Sequence, residues 1–229
     1  MGNDDRLKRG RRILSNGFFQ NYPNAKNDDH RRALPHWRAH AGHHQAYVTK
    51  IIVTNNNHLI YLHGSDSNSN SGKARLFREW FPGMTTPDFT GGFSERMEQL
   101  IPILENKAAW VIIGSSYGGL MGAVFTCEHP TQVRKLILLA PALLRDSSNA
   151  YLDPLTGEYL VYLKKSKYHL QSVSVPTIIV HGMEDDIVPL EPVRETAQTL
   201  FTDLTYYVVH DDHRLQKSVN ELNWKTILA

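Results

Sequence analysis

The residues of this chain whose types and spacing suit chemistry begin with Ser116. It sits in Gly114-Ser115-Ser116-Tyr117-Gly118-Gly119, directly after the apolar, β-branched run Ala109-Trp110-Val111-Ile112-Ile113. Gly-x-Ser-x-Gly in that setting is the sequence form of a nucleophile elbow, a sharp strand-to-helix turn that holds a serine hydroxyl exposed. Glycines suit positions 114 and 118 because bulkier side chains would collide with the adjoining strand and helix. The backbone dihedrals expected there are also ones that only small residues take cheaply. A serine hydroxyl is a weak nucleophile near neutral pH, so it needs a base within hydrogen-bond reach and a third group to orient that base. Two later segments supply both. His181-Gly-Met-Glu-Asp-Asp-Ile-Val-Pro189 carries Asp185 and Asp186, and Asp211-Asp212-His213-Arg214 carries His213. His210 is close by, but its position reads as the end of a strand, where a packed histidine is the simpler account. A serine, an acid and a histidine so arranged perform acyl transfer through a covalent serine intermediate.

Each of these groups has to be held by an element that ends just before it. Apolar runs at His58–His63, Ala109–Ile113, Val133–Ala140, Thr177–His181 and Leu204–His210 read as buried strands, with a further strand at Tyr47–Thr54 and a short, weaker one at Met84–Phe89. Helical spacing separates them. It marks a helix carrying Leu76, Phe77, Trp80 and Phe81 that Pro82-Gly83 stops, and helices over about 94–105, 117–128 and 191–201, resuming from Arg214. Strands alternating with helices imply a mostly parallel, doubly wound sheet with helices on both faces. Loops leaving the carboxyl ends of such strands gather on one edge, and Ser116, the two aspartates and His213 each fall on such a loop. Only about thirty-five residues separate the strands ending at Ala140 and starting at Thr177, so residues 142–175 have room for at most a small cap.

Together these segments resemble the α/β-hydrolase-fold serine hydrolases, of the small-cap carboxylesterase and acyl thioesterase kind, over about residues 47–229. Three motifs carry the resemblance: His63-Gly64-Ser65, the elbow around Ser116, and the His181–Pro189 segment paired with Asp212-His213-Arg214. The order Ser, Asp, His is that of this fold, distinct from the trypsin-like and subtilisin-like orders. The resemblance implies Ser116 as nucleophile and His213 as base. It picks Asp185 as the acid, four residues after His181 and four before Pro189, with Asp186 as the alternative. It gives His63 and His181 loop-bracing roles, and it places the oxyanion donors on the backbone N–H groups of Ser65 and Tyr117. Side chains expected around the acyl group are Leu120, Leu143, Leu144, Tyr151, Met183 and Ile187. Two features depart from relatives. No Gly-Gly-Gly run follows His63, and Pro87-Asp88-Phe89-Thr90-Gly91-Gly92-Phe93 stands where relatives often carry Gly-x-Gly-x-Ser, which leaves the pocket wall near 88–93 open. The implied activity is hydrolysis of small acyl esters with no metal or organic cofactor. Thioesters, lipids or amides on the same triad are alternatives, as are lyase or cofactor-free haloperoxidase chemistry and a receptor-like domain with an idle triad. Dehalogenase and epoxide hydrolase chemistry need a carboxylate where Ser116 stands.

The composition is consistent with this reading and narrows the partners. A chain of 229 residues with 41% apolar content builds the core of one α/β domain. The net charge is +2, unevenly spread: residues 1–46 hold nine Lys/Arg against four Asp/Glu, and the rest sixteen against nineteen. That basic stretch, without sustained periodicity, reads as a poorly ordered extension ahead of the domain, and nothing in it resembles a base-reading motif, so no nucleic-acid partner is expected. His40, His43 and His44 lack carboxylates or cysteines at ligand spacing, and no metal site is expected from them. The single cysteine, Cys127, rules out an intrachain disulfide and suits a reducing compartment. No stretch is long enough for a membrane span, and the charged N-terminus lacks a signal-peptide core, so the expected location is the cytoplasm.

Overall fold

Period-two alternation in a set of apolar strands divides the core of this protein into two layers. The computed structural model describes residues 19–21, 58–105, 107–143, 162 and 171–229. In chain order its elements are β1 (Phe19–Asn21), β2 (His58–Leu62), α1 (Gly72–Trp80), α2 (Phe93–Leu104), β3 (Trp110–Ser115), α3 (Tyr117–Glu128), β4 (Val133–Leu139), β5 (Thr177–Gly182), α4 (Leu190–Leu200), β6 (Leu204–Val209), α5 (Gln216–Glu221) and α6 (Trp224–Leu228). Strands β2 to β6 pair in parallel in the spatial order β6-β5-β4-β3-β2. Ile60, Leu62, Ile112, Leu136, Leu138, Ile179, Tyr206 and Val208 face α2, α3 and α4, while Leu59, Tyr61, Val111, Ile113, Ile137, Leu139, Val180 and Val209 face α1, α5 and α6. Each of β2 to β6 therefore buries residues on both of its faces, which is why each reads as an almost continuous apolar run.

Helix α3, which follows Ser116, is buried along all twelve of its residues. Helix α1 instead has an apolar stripe, and its Phe77 and Trp80 join Phe81 and Trp224 in an aromatic cluster under the second face. Two details differ from the pattern read in the sequence. Of Met84–Phe89, only Thr85 pairs, as a parallel bridge to Ile60 flanked by hydrogen bonds to Leu59 and Tyr61; Pro87, with no N–H to give, stops the ladder there. Phe19–Asn21, within the stretch read as an extension, is a strand pairing antiparallel with Tyr207–Val209. The strand expected at Tyr47–Thr54, the histidines His40, His43 and His44, and most of the small cap lie outside the described residues. No helix among the described residues is long and apolar enough to cross a membrane.

Candidate active site

The carboxyl ends of β2, β3, β5 and β6 converge at one edge of the sheet, and the elbow is the tightest point there. Ser116 takes φ 54° and ψ −118°, a left-handed φ that costs a non-glycine residue on the order of 1–3 kcal/mol and persists only where the surroundings impose it. They do so through the backbone. Ser116 N–H donates to Leu139 O at 3.0 Å, and Ser116 O accepts from Gly119 N–H at 2.9 Å and Ala142 N–H at 3.1 Å. The glycines permit this by close approach. A Cβ on Gly118 would stand 2.2 Å from Leu62 O, and one on Gly114 2.5 Å from Gly118 O. Neither glycine has a positive φ, so the left-handed backbone expected of the glycines is absent from them, and it is Ser116 that carries it.

Beyond β6 the chain turns through Asp211 and Asp212 into His213. The turn is held by its own carboxylates: Asp211 accepts from Asp212 N–H and Ser218 N–H, and Asp212 from Arg214 N–H. Lys73 on α1 donates its ammonium to Arg214 O at 2.5 Å. The loop after β5 lies alongside because Gly182 has no side chain; a Cβ there would fall 2.3 Å from Asp211 O. Ser116 Oγ consequently lies 3.0 Å from His213 Nε2, and His213 Nδ1 lies 2.9 Å from Asp185 Oδ2. An ionised carboxylate can only accept, so Nδ1 carries the proton and Nε2 is left to accept from the serine hydroxyl.

Asp185 has no exposed side-chain surface. Burial alone would raise its pKa, but hydrogen bonds from His181, His213 and Val188 N–H outweigh that and hold the carboxyl well below the usual range. Its Oδ1 accepts from Ile187 N–H at 3.0 Å and Val188 N–H at 2.8 Å. Its Oδ2, besides facing His213, lies 3.1 Å from His181 Nε2. His181 is buried, donates Nε2–H to Val188 O at 2.9 Å and accepts at Nδ1 from the Tyr206 hydroxyl at 2.8 Å. Asp186 is exposed, and His210 faces Glu184 at 3.3 Å on the surface, away from this line.

On the other side of Ser116 runs His63-Gly64-Ser65. A Cβ on Gly64 would sit 3.4 Å from Ser116 Cβ and 3.9 Å from Ser116 Oγ, so this backbone passes the serine with room for about one carbon atom between them. Phe89 N–H donates to His63 Nε2 at 3.0 Å, which leaves Nδ1 to donate to Gly64 O at 2.8 Å. Burial lowers the His63 pKa and keeps it in this neutral form. Arg96 of α2, buried, donates Nε–H to Gly91 O at 2.9 Å, Nη2–H to Ser65 O at 3.2 Å and, more weakly, Nη1–H to Gly64 O at 3.4 Å. Sequence reasoning passed over Arg96. The signal was present: Phe93, Met97, Leu100 and Leu104 form the buried stripe of α2, and an arginine three residues after Phe93 on that stripe falls where an apolar residue is the rule.

Of the expected lining residues, Leu120 and Leu143 are buried in the layer that holds α3. Met183 and Ile187 stand 48% and 50% exposed beside Asp185. Leu144 and Tyr151 lie outside the described residues. Among the described residues no group of three His, Cys, Asp or Glu side chains is placed to hold a metal ion.

A five-stranded parallel sheet with an elbow after β3 and converging loops after β2, β5 and β6 is the α/β-hydrolase fold. The chain belongs to the Uncharacterised protein family (UPF0227), whose family model matches residues 58–227. No curated protein matches it. Among solved structures it is similar to alpha/beta hydrolase domain-containing protein 10 from mouse, at 21% identity over 74% of this chain and 87% of the mouse chain, with a TM-score of 0.55. An esterase of Pyrococcus furiosus aligns at 16% identity over 76% of this chain and 81% of its own, with a TM-score of 0.54. A meta-cleavage product hydrolase from Pseudomonas fluorescens aligns at 16% identity over 76% and 90%, also with a TM-score of 0.54.

Proposed function

We propose that the chain is a serine hydrolase of small acyl esters, with Ser116 as nucleophile, His213 as general base and acid, and Asp185 as the group that orients the imidazole. The observation that carries this reading is the continuous line from Ser116 Oγ through His213 to Asp185, at 3.0 Å and 2.9 Å. In the first step Ser116 gives its proton to His213 Nε2 as its oxygen attacks the acyl carbonyl carbon. The carbonyl oxygen becomes an oxyanion facing the Ser65 and Tyr117 N–H groups. His213 then returns the proton to the leaving alkoxide, and the C–O bond to it breaks. Water, deprotonated by His213, cleaves the acyl-enzyme and restores Ser116. Asp185, ionised and buried, stabilises the imidazolium in both steps. The ester class is also that of the Pyrococcus furiosus esterase to whose structure this chain is similar.

The test is Ser116→Ala. The variant should fold as the wild type does, yet lose hydrolysis of p-nitrophenyl acetate and butyrate by at least about 10⁴-fold and lose labelling by a fluorophosphonate. Equal labelling of the variant overturns the assignment of the nucleophile. A series of acyl chains from acetyl to palmitoyl, with matched thioesters and anilides, separates a short-chain esterase from thioesterase, lipase and amidase. Retention of a ligand without turnover would mark a receptor.

A further inference from the structure

We propose that Arg96 is a positioning residue for the oxyanion hole, fixing the direction of the Ser65 N–H from behind the loop; this rests on the hydrolase reading above. Arg96 reaches carbonyls in three different peptides. The Gly91 bond anchors the guanidinium to the start of its own helix, while the Gly64 and Ser65 bonds take hold of both peptides that flank Ser65. No peptide in the described residues is cis, and in a trans peptide the C=O and N–H point in opposite directions. Gly64 O is turned toward His63 and Arg96, so the Ser65 N–H is turned away from them, in a segment close enough to the serine that a Cβ on Gly64 would touch Ser116. Donation to Gly64 O also polarises that peptide and strengthens its N–H as a donor.

The same side chain reaches the second donor. The Arg96 guanidinium lies 5.3 Å from the centroid of the Tyr117 ring, and Phe93, one turn earlier on α2, meets that ring edge-on at 5.8 Å. Tyr117 is the first residue of α3, and its N–H is the other proposed oxyanion donor. A buried cation thus bridges the two residues whose backbone would receive the oxyanion. The planar guanidinium suits this because its donors diverge toward separate acceptors; an ammonium is a single point of donation and covers fewer of them.

The experiment compares wild type, Arg96→Gln and Arg96→Lys, each corrected for competent sites by fluorophosphonate titration. It measures kcat and KM for p-nitrophenyl butyrate, the inhibition constant of an aliphatic trifluoromethyl ketone, and the thermal midpoint. Misaimed oxyanion donors should lower kcat for Arg96→Gln by about 10- to 100-fold with KM within about threefold. The ketone, which forms a tetrahedral adduct on Ser116, should lose affinity in proportion to kcat/KM, and Arg96→Lys should recover part of both. A merely structural arginine would lower the thermal midpoint while kcat per titrated site and ketone affinity stayed at wild-type values, and that result overturns the proposal. If Arg96→Gln does not fold, Arg96→Lys decides by the same two readouts. A wild-type chain that is inert toward both ester and ketone overturns the hydrolase reading and this inference together.

Discussion

The two sides of Ser116 are built from different materials. Toward β5 and β6 the groups in line are side chains: a buried carboxylate, an imidazole and a hydroxyl, each delivered by a separate loop and each needing its own functional group. Toward β2 the groups that would act are backbone N–H donors, and the side chains there, His63 and Arg96, hold carbonyls and do not face the hydroxyl. On the proposed mechanism, residue type is decisive at positions 116, 185 and 213. At position 65 that mechanism asks only that the residue keep its N–H, and the dependence on residue type moves back to the braces.

The largest effect that sharpens this contrast is expected on the side-chain half. Asp185→Asn should lower kcat/KM by about 10³- to 10⁴-fold, because an amide can present its NH₂ to His213 Nδ1 and favour the tautomer that protonates Nε2. Asp186→Asn, at an exposed residue, should leave kcat/KM within about twofold. Steady-state kinetics on p-nitrophenyl butyrate checks both, and the reverse ranking would move the acid to Asp186.

Next in size is the backbone half. Ser65→Pro removes one N–H and should cost about 10²- to 10³-fold in kcat, the range found when a single oxyanion donor is lost, whereas Ser65→Ala should stay within about twofold. A large loss in Ser65→Ala would show that the hydroxyl participates and would break the contrast between the halves. Proline also alters the loop, so a circular-dichroism melt accompanies the kinetics.

The same division explains what the sequence made legible. Apolar runs located the five parallel strands because each buries both faces, and the helix expected over about 94–105 is found at Phe93–Leu104. Ser116, Asp185 and His213 could be singled out because acyl transfer would demand particular side chains at loop positions after strands, and the fold brings those three into one line. Gly118 was legible as a glycine but for a partly different reason, since it is the carbonyls of Leu62 and His63 that exclude a side chain there. Arg96 was not legible as a brace because its partners are carbonyl oxygens, which every residue has and no sequence pattern marks. The antiparallel β1 was missed because a strand of three residues is too short to leave a periodicity to read.

The smallest effect separates the halves by pH. Burial lowers the pKa of His63, so the unfolded chain takes up a proton there more readily than the folded chain does. Its contribution is complete above the unfolded histidine value of about 6.5 and is lost as pH falls below it. Asp185 is a carboxyl with a depressed folded pKa: its contribution is complete above the unfolded value of about 3.9 and is lost only as pH falls below that. Acid should therefore weaken the oxyanion side first and the relay side later. Urea midpoints measured from pH 8 to pH 3, about the span of both unfolded values, should fall in two stages in the wild type. His63→Asn should flatten the upper stage relative to wild type and leave the lower one, and Asp185→Asn should do the reverse. If one substitution flattens both stages, the two halves of the site titrate as a single unit and the contrast drawn between them fails.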